Sequence, residues 1–498
     1  MIRPALLVGA AALMAGVRAL PAQPAGRPAD AAPVALDTVI RSFDGRTLPA
    51  VLLRITVPER RVDPGRSITL SALRIPSLAE RPGRPILFLM GGPGVPGSAM
   101  APIPQYFTLF DRLRGFGDVV LVDQRGIGSS EPRLDCPLSG ALPESAFVAP
   151  GQLVAMYRRE VAACTSHWRG QGAEPTAWTT VESAADLDDL RRALGAGQVD
   201  LLAFSYGSRL ALAYLDRYGS RVGRIVLQGV NGPGLALRSP APVARKLRLL
   251  GERLARDTAW HAPTDLLAAA RTARTRLAAA PAAVTVGDRR ERRARELLVG
   301  RDGFDAIVGM SLDDARLPAL LVSVAAGDDR LLAQFTESAW NGLAGGTVGL
   351  MPRAVNCAAD RPRSRWDAVT AEAATAPFGA PFDLHFLTDE FCRAVGYATP
   401  PVEFDGPVRS QVPALLVTGE LDATNPVENA RAVARGLPNA VLVEVVNAAH
   451  EALPVPEVQD LVVDFFRGED VGGRRVAASP PTFPSVQAAL RAGPAPRR

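Results

Sequence analysis

The sequence predicts an α/β fold: a mostly parallel, doubly wound sheet interrupted by an inserted helical cap. Three observations carry this expectation. Short, uniformly apolar runs end in glycine-rich turns, as strands buried on both faces of a parallel sheet do. These runs alternate with segments whose apolar residues recur at helical spacing. A long stretch rich in Ala, Leu and Arg then separates the early strand pattern from the late one.

Taken in chain order, Leu48–Val57 and Ser67–Ile75 are rich in Val, Ile, Leu and Thr and are separated by Pro, Asp and Gly, which predicts a hairpin. Pro85–Met90 and Asp118–Val122 follow as buried strands, each closed by a glycine-rich turn. Val181–Leu194 has the spacing of an amphipathic helix, and strand Val199–Phe204, helix Ser208–Tyr218 and strand Arg224–Gln228 come next. Such alternation implies parallel strands joined by right-handed crossovers. From Gly232 to Pro400 the character changes to helical stretches such as Ala244–Ala255, Thr264–Ala279 and Leu317–Ala333. Sheet character resumes with strand Ala414–Thr418, helix Pro426–Arg435, strand Val441–Val446 and a helix near Val458–Phe466. The expected division is a first core part over residues 34–231, a helical cap over 232–400, a second core part over 401–470 and a Pro/Ala/Arg-rich flexible tail over 471–498.

Residues 1–22 read as a signal peptide, because Arg3 precedes an apolar run from Pro4 to Val17 that ends around Leu20-Pro21-Ala22. Arg18 and Leu20 make an imperfect cleavage site, so an uncleaved anchor is the competing reading. No later run is apolar over the roughly 18 residues a membrane helix needs. An exported protein, periplasmic or secreted, with no stable membrane insertion after signal cleavage is therefore expected. Export gives the four cysteines a meaning. Cys136 and Cys164 lie in one segment and Cys357 and Cys392 in another, so two local disulfides are the simplest arrangement, with four buried thiols as the alternative. No Cys/His grouping has metal-ligand spacing, and no metal is expected. The 56 basic side chains nearly balance 51 acidic ones, and the excess of +5 is scattered; no nucleic-acid partner is expected.

The chemistry sits at strand ends. Ser205 stands where Leu201-Leu202-Ala203-Phe204 stops and a helix begins, followed by Tyr206 and Gly207. A tight strand-to-helix turn there lifts the hydroxyl above the sheet edge and demands small neighbours, the form usually written G-x-S-x-G; here Ala203 replaces the first Gly. Strand Ala414–Thr418 is followed by Gly419-Glu420-Leu421-Asp422, and strand Val441–Val446 by Asn447-Ala448-Ala449-His450. The chain order Ser, Asp, His is the one this topology imposes on a catalytic triad. His167, His261 and His385, the other three of four histidines, have no such context and read as surface or cap residues. Ser205 is too weak a nucleophile unless His450 takes its proton, and Asp422 would fix the imidazole tautomer. Developing negative charge needs backbone donors: the amide of Tyr206 and, from the turn Gly91-Gly92-Pro93-Gly94, that of Gly92.

The same turn supports a competing reading. Gly92, Gly94 and Gly97 match G-x-G-x-x-G after a strand, and Asp123 ends the next strand where a ribose-binding acid could sit. A dinucleotide-binding oxidoreductase leaves Asp422 and His450 unexplained, however, and Pro93 and Pro96 remove amides a pyrophosphate would use. No cofactor is expected.

With these residues in view, the chain resembles the α/β-hydrolase family of proline iminopeptidases and bacterial tripeptidyl aminopeptidases, and is most similar to the exported tripeptidyl aminopeptidase branch. The resemblance rests on Gly91-Gly92-Pro93-Gly94 with Gly97-Ser98, on Asp123-Gln124-Arg125-Gly126-Ile127-Gly128-Ser129-Ser130, and on Ser205-Tyr206-Gly207. Val355-Asn356-Cys357-Ala358-Ala359-Asp360 and Gly419-Glu420-Leu421-Asp422 with Asn425-Pro426 complete it. Three departures stand out: Met90 where iminopeptidases often carry His, Asn425 where the branch usually has Thr, and Ala203 for Gly. The resemblance implies an α/β-hydrolase fold, a helical cap over the triad and removal of short units from free peptide N-termini. It makes Asp360 the candidate receptor for the substrate ammonium group. Residues and spacing alone reach a serine hydrolase with a peptide or small ester substrate, the ester hydrolase being the alternative; a non-catalytic binding protein on the same scaffold is disfavoured by the intact trio.

Overall fold

The computed structural model describes residues 32–493 apart from 63, 345, 360–362, 377, 379–381, 400–403 and 405. The expected signal segment 1–22 and Asp360 lie outside the described residues. Fourteen strands are present among the described residues. They are β1 (Val34–Arg41), β2 (Thr47–Pro58), β3 (Ser67–Ile75), β4 (Ile86–Leu89), β5 (Val119–Asp123), β6 (Asp135–Pro137), β7 (Val199–Phe204), β8 (Val222–Gln228), β9 (Ala282–Asp288), β10 (Arg293–Val299), β11 (Thr347–Gly349), β12 (Ala414–Gly419), β13 (Ala440–Val446) and β14 (Val476–Ala477).

Ten of them form one sheet in the order β1-β2-β3-β5-β4-β7-β8-β12-β13-β14. The first three join antiparallel, and every pair from β5–β4 onward is parallel. This is the mostly parallel α/β sheet that the sequence predicts. Strands β4, β5, β7 and β12 are buried at every residue, which is why they read as nearly continuous apolar runs, with Asp123, Asp200 and Thr418 as the polar exceptions. Their side chains divide by alternation. Leu87, Leu89, Leu201 and Ala203 face one layer with Leu210 and Tyr214. Ile86, Phe88, Leu202 and Phe204 face the other with Phe110 and Phe465.

One helix on that second face, Pro104–Leu113, has no counterpart in the sequence reading; it starts with Pro at its first turn and buries Tyr106, Phe107, Leu109, Phe110 and Leu113. Strand β1 also escaped that reading, because an exposed edge strand has no continuous apolar face.

The chain leaves the sheet twice on the way to the lobe above it. Between β8 and β12 come the helices expected from the sequence, including Ala241–Leu254 and Leu266–Ala279, together with a β9–β10 hairpin that the sequence reading did not contain. Between β5 and the helix Thr180–Ala193 comes a second excursion, assigned by sequence to the core. In the structure its β6 pairs with β11 of the lobe, and its helix Pro150–Gly170 packs against Asp389–Val395. The apolar stripe of that helix, Leu153, Met156, Tyr157 and Val161, therefore covers the lobe rather than the sheet. One disulfide closes each excursion: Cys136–Cys164 with Cα atoms 5.8 Å apart, and Cys357–Cys392 at 5.5 Å.

The segment 471–498, expected to be loose, is docked as far as Gly493. Strand β14 adds to β13, and helix Val486–Ala492 is capped by the Ser485 hydroxyl and buries Ala489 completely. Gln334 Nε2 and the Arg316 guanidinium donate to the Leu490 and Gly493 carbonyls. Val476 of the strand and Val486, Ala489 and Leu490 of the helix find a surface already formed by the rest of the chain, which local composition does not reveal. Among the described residues no helix is long and apolar enough to cross a membrane.

Candidate active site

The parallel strands all deliver their C-terminal ends to one edge, and the turns there carry the chemistry-bearing residues. Ser205 follows β7 with φ 54° and ψ −121°, a left-handed conformation unusual for a residue with a Cβ. Its amide donates to the Gln228 carbonyl at 2.9 Å, and its own carbonyl accepts from the Ser208 amide at 2.9 Å and the Ser208 hydroxyl at 2.5 Å. The turn is closed so tightly that a Cβ at Gly207 would overlap the Leu89 carbonyl oxygen. Ala203, in contrast, fits without strain, fully buried between β4 and β8.

Asp422 is 1% exposed. Its Oδ1 accepts the amides of Thr424 and Asn425, each at 2.8 Å, and its Oδ2 lies 2.8 Å from His450 Nδ1. A carboxylate only accepts, so Nδ1 carries the proton there and Nε2 is left with a free lone pair. That lone pair meets Ser205 Oγ at 3.0 Å. The imidazole is packed against the Phe204 ring at 4.9 Å, and the His450 carbonyl takes a bond from Gln228 Nε2 at 2.7 Å. The structure thus brings Ser205, His450 and Asp422 into one hydrogen-bonded chain. The arrangement can pass the serine proton to the imidazole while the carboxylate balances the charge that forms. The remaining three histidines are exposed.

The turn after β4 flanks the serine. A Cβ on Gly91 would lie 2.7 Å from Ser205 Cβ, so only a bare backbone can run past the hydroxyl at that distance. Gly92 follows with φ 112° and a cis bond to Pro93, and Tyr206 is the first residue of the helix Tyr206–Tyr218. The Tyr206 amide follows the serine directly, and the helix N-terminus brings its positive end to it. From the lobe, helix Leu350–Ala358 reaches down to this level: Pro352 packs on Gly94, and Met351 packs on Gly126.

The segment Asp123-Gln124-Arg125-Gly126 lies beneath. Asp123 spends its carboxylate on Ser98 N (3.0 Å), Ser98 Oγ (2.8 Å) and Ser129 N (2.9 Å), and at 1% exposure it braces these turns rather than facing a ribose. Burial pushes this carboxyl above its ordinary value, and those three donors pull it back. Arg125 is fully buried and grips Asp186 with Nε and Nη2 at 2.7 Å each, while Nη1 donates to the Glu59 and Ala177 carbonyls. Arg61 closes on the same Asp186 from outside at 2.7 Å. The segment is a buried brace for the floor of the site.

One neighbour of the serine was noted in the sequence only as a departure from a family pattern. Asn425, 3% exposed, places its Nδ2 2.9 Å from the Gly229 carbonyl and 3.5 Å from Ser205 Oγ. Its position three residues after Asp422 was the available signal.

Comparison with known proteins agrees with this architecture. The family described as alpha/beta hydrolase fold matches residues 84–456. The Escherichia coli (strain K12) protein YuaR is 29% identical over 185 residues, 35% of either chain. Serine protease Hip1 of Mycobacterium tuberculosis (strain ATCC 25618 / H37Rv) is 30% identical over 193 residues, 36% of this chain and 35% of the relative. Tripeptidyl aminopeptidase of Streptomyces lividans is 29% identical over 189 residues, again 36% and 35%. The chain spans about a third of the length of the curated relatives it matches.

Proposed function

Since the chain belongs to the alpha/beta hydrolase fold family, we propose that it is an exported serine hydrolase that releases short units from free peptide N-termini. The observation that carries the reading is the chain Asp422–His450–Ser205, at 2.8 and 3.0 Å, ending on a serine held at φ 54°. Ser205 Oγ attacks the substrate carbonyl as its proton passes to His450 Nε2, and Asp422 stabilises the imidazolium. The amides of Tyr206 and Gly92 receive the oxyanion. His450 then protonates the leaving amine, and a water deprotonated by the same nitrogen hydrolyses the acyl-enzyme.

Peptides are favoured as substrates because two of the similar proteins carry the names serine protease and tripeptidyl aminopeptidase. Export is favoured by the two disulfides, which persist in oxidising compartments. Asp360 is the proposed ammonium receptor on its sequence neighbourhood; Asp360→Asn lowers turnover of free-amine peptides and spares a small ester. A fluorophosphonate labels the wild type and not Ser205→Ala; equal labelling of both removes Ser205 as the nucleophile. A panel of free-amine anilides, blocked anilides and simple esters then decides the substrate class. Preference for esters over every anilide replaces the peptidase reading with that of a carboxylic ester hydrolase.

A further inference from the structure

Asn425 lies in the aspartate turn and reaches the serine turn and Gly229, the residue beneath the histidine ring. Its backbone amide donates to Asp422 Oδ1 at 2.8 Å, so it shares the carboxylate with His450. Its side-chain nitrogen donates one hydrogen to the Gly229 carbonyl at 2.9 Å. Gly229 in turn lies under the imidazole: a Cβ there would be 3.0 Å from His450 Cε1. An amide nitrogen has a second hydrogen, and the next acceptor in reach is Ser205 Oγ at 3.5 Å. Contacts of this kind are long in the absence of substrate and tighten in the reacting complex. The side chain is buried, so nothing outside competes for that donor.

A serine hydroxyl has one hydrogen and two lone pairs. If a lone pair accepts from Asn425, the Oγ–H is turned toward His450 Nε2, which is the rotamer needed for proton transfer. As the proton leaves, the oxygen gains negative charge in a site of low polarity, where a fixed donor is worth more than in water. We propose that Asn425 is a fourth member of the catalytic group, donating a hydrogen bond to the nucleophile and tying the serine and aspartate turns to the Gly229 turn on which the histidine ring rests. The proposal rests on the serine hydrolase reading above.

The test uses a saturable fluorophosphonate and records three quantities: the fraction of enzyme that can be labelled, the limiting rate constant of labelling and the probe affinity. Asn425→Ala removes the donor, and Asn425→Asp keeps the shape but cannot donate to the Gly229 carbonyl and Ser205 together. The limiting rate constant falls by about tenfold or more in both, while the labelled fraction and probe affinity stay near wild type. If the alanine variant yields little folded protein, the aspartate variant carries the comparison. Either a rate constant within twofold of wild type, or a loss confined to the labelled fraction, makes Asn425 a packing residue and overturns the proposal. Failure of the wild type itself to label would strike the serine hydrolase reading, so the two failures are separable.

Discussion

The strand-end turns and the lobe above them are held together by different means. At the strand ends the restraint is backbone against backbone: Gly207 lies on the Leu89 carbonyl, and Gly419 is pressed so closely on Ala448 and Ala449 that any Cβ would overlap their oxygens. In the lobe covalent links are added to backbone contacts: one disulfide lies in each excursion, the β6–β11 ladder joins the two, and Gly303 lies against the Phe147 backbone. The lesson concerns tolerance. Turns built from touching backbones accept no added atom, whereas in the lobe part of the restraint is covalent and does not depend on such contacts.

The comparison breaks most visibly through the acid. Asp422→Asn keeps the shape but presents an amide to His450 Nδ1, favouring the wrong tautomer, so kcat falls about 10⁴-fold, with the thermal midpoint nearly unchanged. A drop of less than tenfold would place the acid elsewhere. The lobe is probed next by replacing Cys357 and Cys392 together with serine. That opens a loop of sequence separation 35 and costs about 3–4 kcal/mol in the chain-entropy account, read from denaturant unfolding. Turnover of a small ester by the folded fraction is retained, because the strand-end turns do not depend on that link; parallel loss of ester turnover would show that they do.

Gly207→Ala sharpens the contrast, since a single methyl group driven into the Leu89 carbonyl costs about 3 kcal/mol, close to the effect of the whole lobe disulfide. Unfolding midpoints within the error of wild type would contradict the backbone contact. The smallest effect belongs to Ala203→Gly, which restores the usual glycine before the serine. It costs about 1 kcal/mol through lost strand packing and chain entropy and leaves the labelling rate within twofold of wild type. A clear gain in rate would mean that Ala203 strains the turn.

How far the sequence reached can be followed residue by residue. Strand β7 was legible because both its faces are buried and five of its six residues are apolar, the exception being Asp200, which pairs with Arg84. Ser205, Asp422 and His450 were legible as candidates because each is a polar residue within four positions after the end of a strand, in the order the topology imposes. Asn425 carried only its proximity to Asp422, and Arg125 looked like part of a motif with no visible partner. Their roles depend on Gly229, Asp186 and Glu59, which lie far away in the chain.

The sequence by itself therefore determined the parallel sheet, the helical insertion and the candidate trio, since burial on two faces, helical spacing and strand-to-helix turns are all written in local pattern. Only the tertiary structure decided that residues 135–170 pack into the lobe, that the segment after 471 docks, and that Asp422 and His450 stand 2.8 Å apart. The physical reason is the same in each case. A local pattern states which face of an element is to be buried, but the partner that buries it is chosen by the fit of the whole chain.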